Sequence, residues 1–285
     1  MLIGITGSHG FIGQNLVEFL SSRQGTEVRR FDRKKKSLDV SSFKSFVSGL
    51  DVLFHIGGLN RADDSELVRA NIIGTSNLLE AIKLYGKPDD LKFIFISSFQ
   101  VYPLFETIKA IAEDAVPNPQ TLFGITKRCG EDLIRISGIK SVIVRLSNVY
   151  GPLCRPFYNS VISTFCELAA RGKPITVNGD GSQARDFIFI GDVVSAFGEL
   201  IGYPVQGTET FNLCGGKLFS LKDILGELEK VSGKRAVVEY KPVEGPNGYQ
   251  LGDNGKIRKA LGWDVKTPLS EGLRKTYRWF EGQKI

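Results

Sequence analysis

A spaced glycine triplet between a strand and a helix constrains this chain more than any other feature. Gly7, Gly10 and Gly13 stand three residues apart in TGSHGFIG. The apolar run Leu2–Thr6 precedes them, and a stretch from Phe11 to Ser22 with Phe11, Ile12, Leu16, Val17 and Leu20 on one helical face follows. In that setting each glycine has a use. One permits the tight turn, one lets the backbone approach a pyrophosphate, and one lets the helix pack close to the sheet. The anion then rests on the positive end of the helix. A glycine turn without ligand is the plain alternative, and the strand before and helix after argue against it.

The next 140 or so residues repeat the same alternation of strand and helix. Strands are expected at Glu27–Phe31, Asp51–Ile56, Lys92–Ser97 and Ser141–Leu146. Helices are expected at Ser41–Leu50, Ser65–Tyr85 and Gln120–Ile136. Near-continuous apolar strands that alternate with helices mean an α/β chain, a Rossmann-type doubly wound parallel sheet covered on both faces. Beyond residue 150 the pattern loosens and glycine clusters at Gly151, Gly179–Gly181, Gly215-Gly216 and Gly245–Gly248. The expectation is a dinucleotide-binding domain over 1–150, rejoined by 186–203, and a smaller C-terminal substrate lobe over 151–285.

Composition narrows the class of function. With 285 residues, 42% of them hydrophobic, the chain can bury a sizeable core. A net charge of +6 admits an anionic partner. Nucleic acid would need a basic stripe interleaved with aromatics, and the only basic run is Arg33–Lys36, so no nucleic-acid partner is expected. Cys129, Cys154, Cys166 and Cys214 form no CxxC pair, and the histidines are His9 and His55 alone. Reduced thiols and no metal site are expected. No secretory leader and no apolar stretch of about 20 residues is visible, which points to a cytoplasmic chain without membrane insertion.

Asp32 closes the second strand, about 20 residues past the loop, where an acid hydrogen-bonds the adenosine ribose and favours NAD. Arg33 beside it admits NADP, although a solvated basic loop explains the run equally well.

Taken in order, ITGSHGFIGQNL, DVLFHIGGLNR, ANIIGTSNLLEAI, FISSFQVY, LFGITKRCGEDL, VRLSNVYGP, ITVNGDGSQARDFIFIGDVV, FNLCGG and LGDNGKIRKALGW resemble the extended short-chain dehydrogenase/reductases that act on nucleotide sugars, the NAD-dependent epimerase/dehydratase group. The resemblance runs over nearly the whole chain. It implies cofactor contacts from Gly7, His9, Gly10, Phe11, Ile12, Gly13, Asp32, Arg33, Asp39, Val40, Gly57, Gly58 and Lys127. It implies a catalytic set of Ser98, the tyrosine position occupied here by Phe123, and Lys127. It implies sugar-nucleotide contacts from Ser98, Asn148, Asn178 with Val177, and Arg185, and a homodimer through the helices at 65–85 and 120–136. A second phosphate arginine, usual before an Asp such as Asp253, is missing, and Lys241 is the nearest point charge.

Phe123 breaks the pattern. In this family the tyrosine hydroxyl exchanges a proton with the sugar while hydride moves to or from the nicotinamide, and a phenyl ring holds no such proton. Three explanations stand: an engineered Tyr→Phe change, a natural departure in which Ser98, Tyr102 or a bound water carries the proton, or a module that senses NAD(P) or a nucleotide sugar without turnover. The family's dehydratases place an Asp-Glu pair after the serine. Phe99 and Gln100 stand there, so dehydration is disfavoured and 4-epimerisation or 4-keto reduction remains. The pattern of the C-terminal half leans to epimerase, while CRPFYNSVISTFC is similar to capsular 4-keto-sugar reductases. Plainer roles are open to three of these side chains: Arg185 as a partner of Asp186, His55 as a core residue, and Asp192 as a helix N-cap.

Overall fold

The computed structural model describes residues 1–33, 37–158, 160–242 and 248–283. Lys34–Lys36 of the basic run, and residues 243–247 in the stretch before Asp253 where a second phosphate arginine is expected, lie outside them. In chain order the elements are β1 (Leu2–Thr6), α1 (Phe11–Ser21), β2 (Glu27–Phe31), α2 (Lys44–Val47), β3 (Val52–His55), α3 (Asp64–Val68), α4 (Gly74–Tyr85), β4 (Lys92–Ser98), β5 (Ala110–Ile111), α5 (Leu122–Ser137) and β6 (Ser141–Leu146). They continue as β7 (Asn148–Tyr150), α6 (Val161–Ala170), β8 (Ile175–Asn178), β9 (Ala184–Phe189), α7 (Ile190–Gly202), β10 (Thr208–Leu213), β11 (Leu218–Ser220), α8 (Leu221–Ser232), β12 (Val238–Lys241), β13 (Leu251–Gly252), α9 (Gly255–Leu261) and α10 (Leu269–Gly282).

Two compact units form. The first holds residues 1–103, 113–146 and 194–212. Its six-stranded sheet runs β10-β6-β4-β3-β1-β2, with β2, β1, β3, β4 and β6 parallel. Strands β3 and β6 are buried throughout, which is why they read as mostly apolar runs, interrupted only by Ser141, Arg145 and the terminal His55. Edge strand β2 instead carries Arg29, which caps the end of α2 by donating to the carbonyls of Ser45, Phe46 and Ser48. Phe31, Phe43 and Phe46 interlock beneath it, with Phe31 and Phe43 stacked at 4.5 Å. The chain passes from β1 to β2 on one side and returns to β3 on the other. That reversal opens a crevice at the carboxyl ends of β1 and β3, where α/β sheets of this kind take their ligands.

The second unit holds residues 104–112, 147–193 and 213–285. Parallel β7–β9 with antiparallel β11 makes its main sheet, and β8–β12 and β5–β13 add two short parallel pairs. Helices α6, α8 and α10 pack on one another. A reciprocal Ser220–Asp223 capping box starts α8, and left-handed Gly233 ends it.

Several boundaries differ from expectation. The chain rejoins the first unit at 194–212 rather than 186–203, because β9 pairs with β7 and β11 in the second unit. Residues 104–112 also belong to the second unit, where β5 pairs with β13. The helix expected at Ser41–Leu50 is a 3-10 turn at Val40–Phe43 followed by one α turn. Serine is a weaker helix former than alanine or leucine, and Ser41, Ser42, Ser45 and Ser48 stand in this stretch; Gly49, with φ at 73°, ends the run. The helix expected at Ser65–Tyr85 contains a π turn at Arg69–Ile73.

Candidate active site

The glycine loop is built as its spacing requires. Gly7 has φ of 71°, and a Cβ at Gly13 would lie 2.1 Å from the Gly7 carbonyl oxygen. Helix α1 starts at Gly10 with no side-chain cap and no acid in its first turn, so its positive end is open to an anion. Phe11 and Ile12 are half-buried and His9 is exposed. This cradle, which any side chain at Gly13 would fill, fits a dinucleotide pyrophosphate. Asp32 is half-buried at the end of β2 and Arg33 is exposed. Asp39 is exposed and accepts a 2.7 Å bond from Ser37 Oγ, and Val40 beside it is half-buried.

Beneath the loop runs a buried polar chain with a definite direction. Gly57 N–H donates to Thr6 Oγ1 (3.0 Å), which lies 2.7 Å from His55 Nδ1. His55 Nε2 lies 2.9 Å from Thr75 Oγ1, whose single proton goes to the Asn71 carbonyl (2.7 Å). With that proton committed, Thr75 can only accept from His55, so Nε2 carries the imidazole hydrogen and Nδ1 accepts from Thr6. Burial, aided by the charge of Lys127, pushes the His55 pKa down to about 3. His55 is therefore a neutral core histidine. Asn71, in the π turn, grips the loop after β3. It donates to Leu59 O (2.8 Å) and to Thr126 Oγ1 (2.9 Å), and accepts from Leu59 N–H (2.7 Å). A Cβ at Gly58 would lie 2.8 Å from its Oδ1, so that loop sits closer than alanine allows.

The catalytic candidates gather where β4 meets α5. Ser98 ends β4 and caps the 3-10 turn Phe99–Val101, accepting from Gln100 N–H at 3.2 Å. Helix α5 packs on that turn. Thr121 caps α5 and donates to Gln100 Oε1 (2.9 Å), while Phe99 is buried, so neither dehydratase position holds an acid. Phe123 and Lys127, four residues apart, share a helix face. Lys127 Nζ lies 5.8 Å from the centre of the Phe123 ring and 4.9 Å from that of Phe95, and donates to Ile96 O (2.8 Å). Burial lowers its pKa to about 8, against the pull of Glu131.

One further turn along α5, Glu131 forms a fully buried ion pair with Arg145 (Nε to Oε1 3.0 Å, Nη2 to Oε2 2.7 Å) and accepts from Ser97 Oγ (2.6 Å). Arg145 Nη1 donates to the Tyr102 hydroxyl (2.6 Å), which donates to Asn212 Oδ1 (3.0 Å). Tyr102 is 1% exposed, and burial raises its pKa. It is locked into this network and cannot be the substitute proton carrier. Sequence reading missed the pair, although an arginine inside SVIVRL, an otherwise apolar strand, was its signal.

In the second unit Asn148 is exposed and donates to Asp186 O (2.9 Å). Asn178 is exposed at the end of β8, whereas Val177 is 1% exposed. Arg185 is half-buried and donates to the carbonyls of Ala184 (2.8 Å) and Gly248 (3.0 Å). Asp186 is no partner for it. Its buried carboxylate accepts from the backbone of Gly215, Gly216 and Gly252, and burial raises its pKa to about 6. Asp192 is not an N-cap: inside the first turn of α7, it accepts from Lys266 and Thr267 N–H. Leu153 and Phe157 occupy the left-handed region, at φ of 70° and 60°, and Phe157 is 64% exposed. Such strain costs roughly 1–3 kcal/mol per residue and gathers at functional loops. All four cysteines are free. Among the described residues no group of His, Cys, Asp and Glu could hold a metal, and no helix is long and apolar enough to cross a membrane.

A parallel sheet that reverses order beside an uncapped glycine-loop helix, with a buried lysine on α5, defines a dinucleotide-binding Rossmann protein. More narrowly, the sequence matches the NAD dependent epimerase/dehydratase family over residues 3–214, and the chain belongs to that family. It is 30% identical over 319 residues to the UDP-glucuronate 4-epimerase of Thermodesulfobacterium geofontis, spanning 96% of this chain and 94% of the relative. To the dTDP-glucose 4,6-dehydratase of Neisseria gonorrhoeae it is 30% identical over 333 residues, 98% and 95% of the two chains. Its fold resembles the UDP-glucuronic acid 4-epimerase of Bacillus cereus, solved as a tyrosine-to-phenylalanine mutant with UDP-4-deoxy-4-fluoro-glucuronic acid and NAD. The TM-score is 0.86 at 28% identity, over 98% and 99% of the two chains.

Proposed function

We propose that this protein is an NAD(P)-dependent nucleotide-sugar epimerase or 4-keto reductase acting at C4 of a UDP-hexose, with turnover slowed by Phe123. The observation that carries it is the placement of Lys127 one turn beyond Phe123 on α5, next to the turn that Ser98 caps. The first unit takes the cofactor and the second the sugar nucleotide. The bound nicotinamide supplies the hydride acceptor and donor. The backbone from Gly7 to Gly13 holds its pyrophosphate, and Asp32 takes the ribose hydroxyls, which favours NAD, while Arg33 leaves room for NADP. Arg185, with Asn148 and Asn178, meets the sugar nucleotide, its guanidinium suited to phosphate oxygens. Without an acid at Phe99 or Gln100, water elimination has no base. The family resemblance and the epimerase relative support epimerisation over reduction. Exposed Val68, Ile73 and Ile125 on α3, the π turn and α5 support a homodimer through these helices.

Phe123 also supports a second reading, a catalytically silent sensor of NAD(P) or of a nucleotide sugar. One experiment separates the two. UDP-glucose, UDP-glucuronate, UDP-N-acetylglucosamine and 4-keto sugars are supplied with NAD or NADPH to the parent chain and to Phe123→Tyr, and sugar products are measured. Turnover by the tyrosine variant supports the enzyme. Tight cofactor binding with no turnover in either form supports the sensor.

A further inference from the structure

Hydride transfer at a sugar carbon leaves a hydroxyl proton to place, and Phe123 cannot take it. Neither can Tyr102, which is buried between Arg145 and Asn212. His55 has both nitrogens committed and is neutral. Ser98 is an alcohol, which does not titrate near neutrality.

Lys127 is different. Its Nζ lies beside the Phe123 ring, buried, and spends one of three possible hydrogen bonds on Ile96 O. The rings of Phe95 and Phe123 give it an apolar wall. The charged and titratable groups around it are Glu131, one turn on along α5, and His55 on β3. Arg145, on β6, bonds to Glu131 and so spends that carboxylate largely on itself. Desolvation therefore outweighs attraction, and burial pushes the amine well below an ordinary lysine, to about 8.

Building on the enzyme reading above, we infer that Lys127 is itself the acid–base group of this site, reaching the sugar C4 hydroxyl through one water molecule. In the oxidising direction the C4–H and O–H bonds break and a C4=O bond forms. The hydride pair passes to the oxidised nicotinamide cofactor, and the proton ends on the neutral Lys127 amine. In the reducing direction the Lys127 ammonium gives it back.

The test follows cofactor reduction by absorbance in the full chain with NAD and UDP-glucose or UDP-glucuronate, from about pH 6.5 to 9.5. The rate should rise roughly tenfold per pH unit below a midpoint near 8 and level off above it. Lys127→Arg keeps the charge but does not titrate in this range. It should lose the inflection and about a hundredfold or more of the rate. Apart from catalysis, the ¹⁵N resonance of Lys127 Nζ, assigned by its loss in Lys127→Arg, should titrate near 8 in the cofactor-free chain. A midpoint at the ordinary lysine value overturns the inference. So does a parent rate that is flat with pH or survives Lys127→Arg, or a parent that is silent at every pH while Phe123→Tyr turns over; in each of these the enzyme reading stands. If neither form turns over, the enzyme reading falls and the inference with it.

Discussion

At position 123 a phenyl ring stands where the family resemblance expects a phenol, and one atom separates the two. General acid–base catalysis is worth about 10²–10⁴-fold. Phe123→Tyr is therefore expected to raise sugar turnover at least about a hundredfold over the parent, read as product formed per enzyme, with cofactor affinity little changed. His55 offers a second residue-level expectation. Unfolded, it takes a proton as pH falls through 6.5; folded, it resists until about 3. Between those values the unfolded chain binds more protons, so stability falls as pH drops. At 1.36 kcal/mol per unit the loss from pH 7 to 4 is about 3 kcal/mol. Urea unfolding of His55→Gln should show a shallower loss over that window than the parent, and equal slopes would refute the neutral, desolvated histidine. Position 123 was readable through the family resemblance, which expects a tyrosine four residues before Lys127. The hydrogen-bonded state of His55 was not, since Thr6 and Thr75 reach it from β1 and α4.

Among the elements, α1 shows how local sequence carries function. Its open N-terminus and close approach to β1 follow from glycine spacing alone. Gly13→Ala places a Cβ 2.1 Å from a backbone carbonyl oxygen, an obstacle that no side-chain movement relieves. That variant should lose NAD binding by fluorescence titration while far-UV circular dichroism shows the fold retained; binding at parental affinity would count against this loop as the pyrophosphate cradle. Helix α5 teaches the opposite lesson. Its face toward Phe123 was legible, but Glu131 acquires meaning only from Arg145 on β6, Ser97 on β4 and the Tyr102 hydroxyl. Removing one partner of such a buried pair typically costs about 3–5 kcal/mol, so the network fixes the strand that ends in Ser98. The π turn at Arg69–Ile73 was equally hidden, because such turns are rare single-turn insertions inside α-helices.

For the whole molecule, the exposed apolar positions Val68, Ile73 and Ile125 support assembly with a second copy. The parent is expected to sediment as a dimer and Ile125→Glu as a monomer, and a monomeric parent at working concentration would refute the homodimer. The net charge of +6 gains no specific partner from the fold; Arg185 remains the one basic side chain proposed to meet phosphate. The sequence by itself determined the parallel α/β sheet and the glycine loop, because each depends on motifs and periodicities that lie along the chain, and its family resemblance singled out Ser98, Phe123 and Lys127 as candidates. Tertiary structure alone decided where residues 104–112 and 194–212 belong, that Tyr102 is sealed away, and that Lys127 is desolvated. Those outcomes depend on which distant segments bury a given side chain, and burial is set by packing rather than by neighbours in sequence.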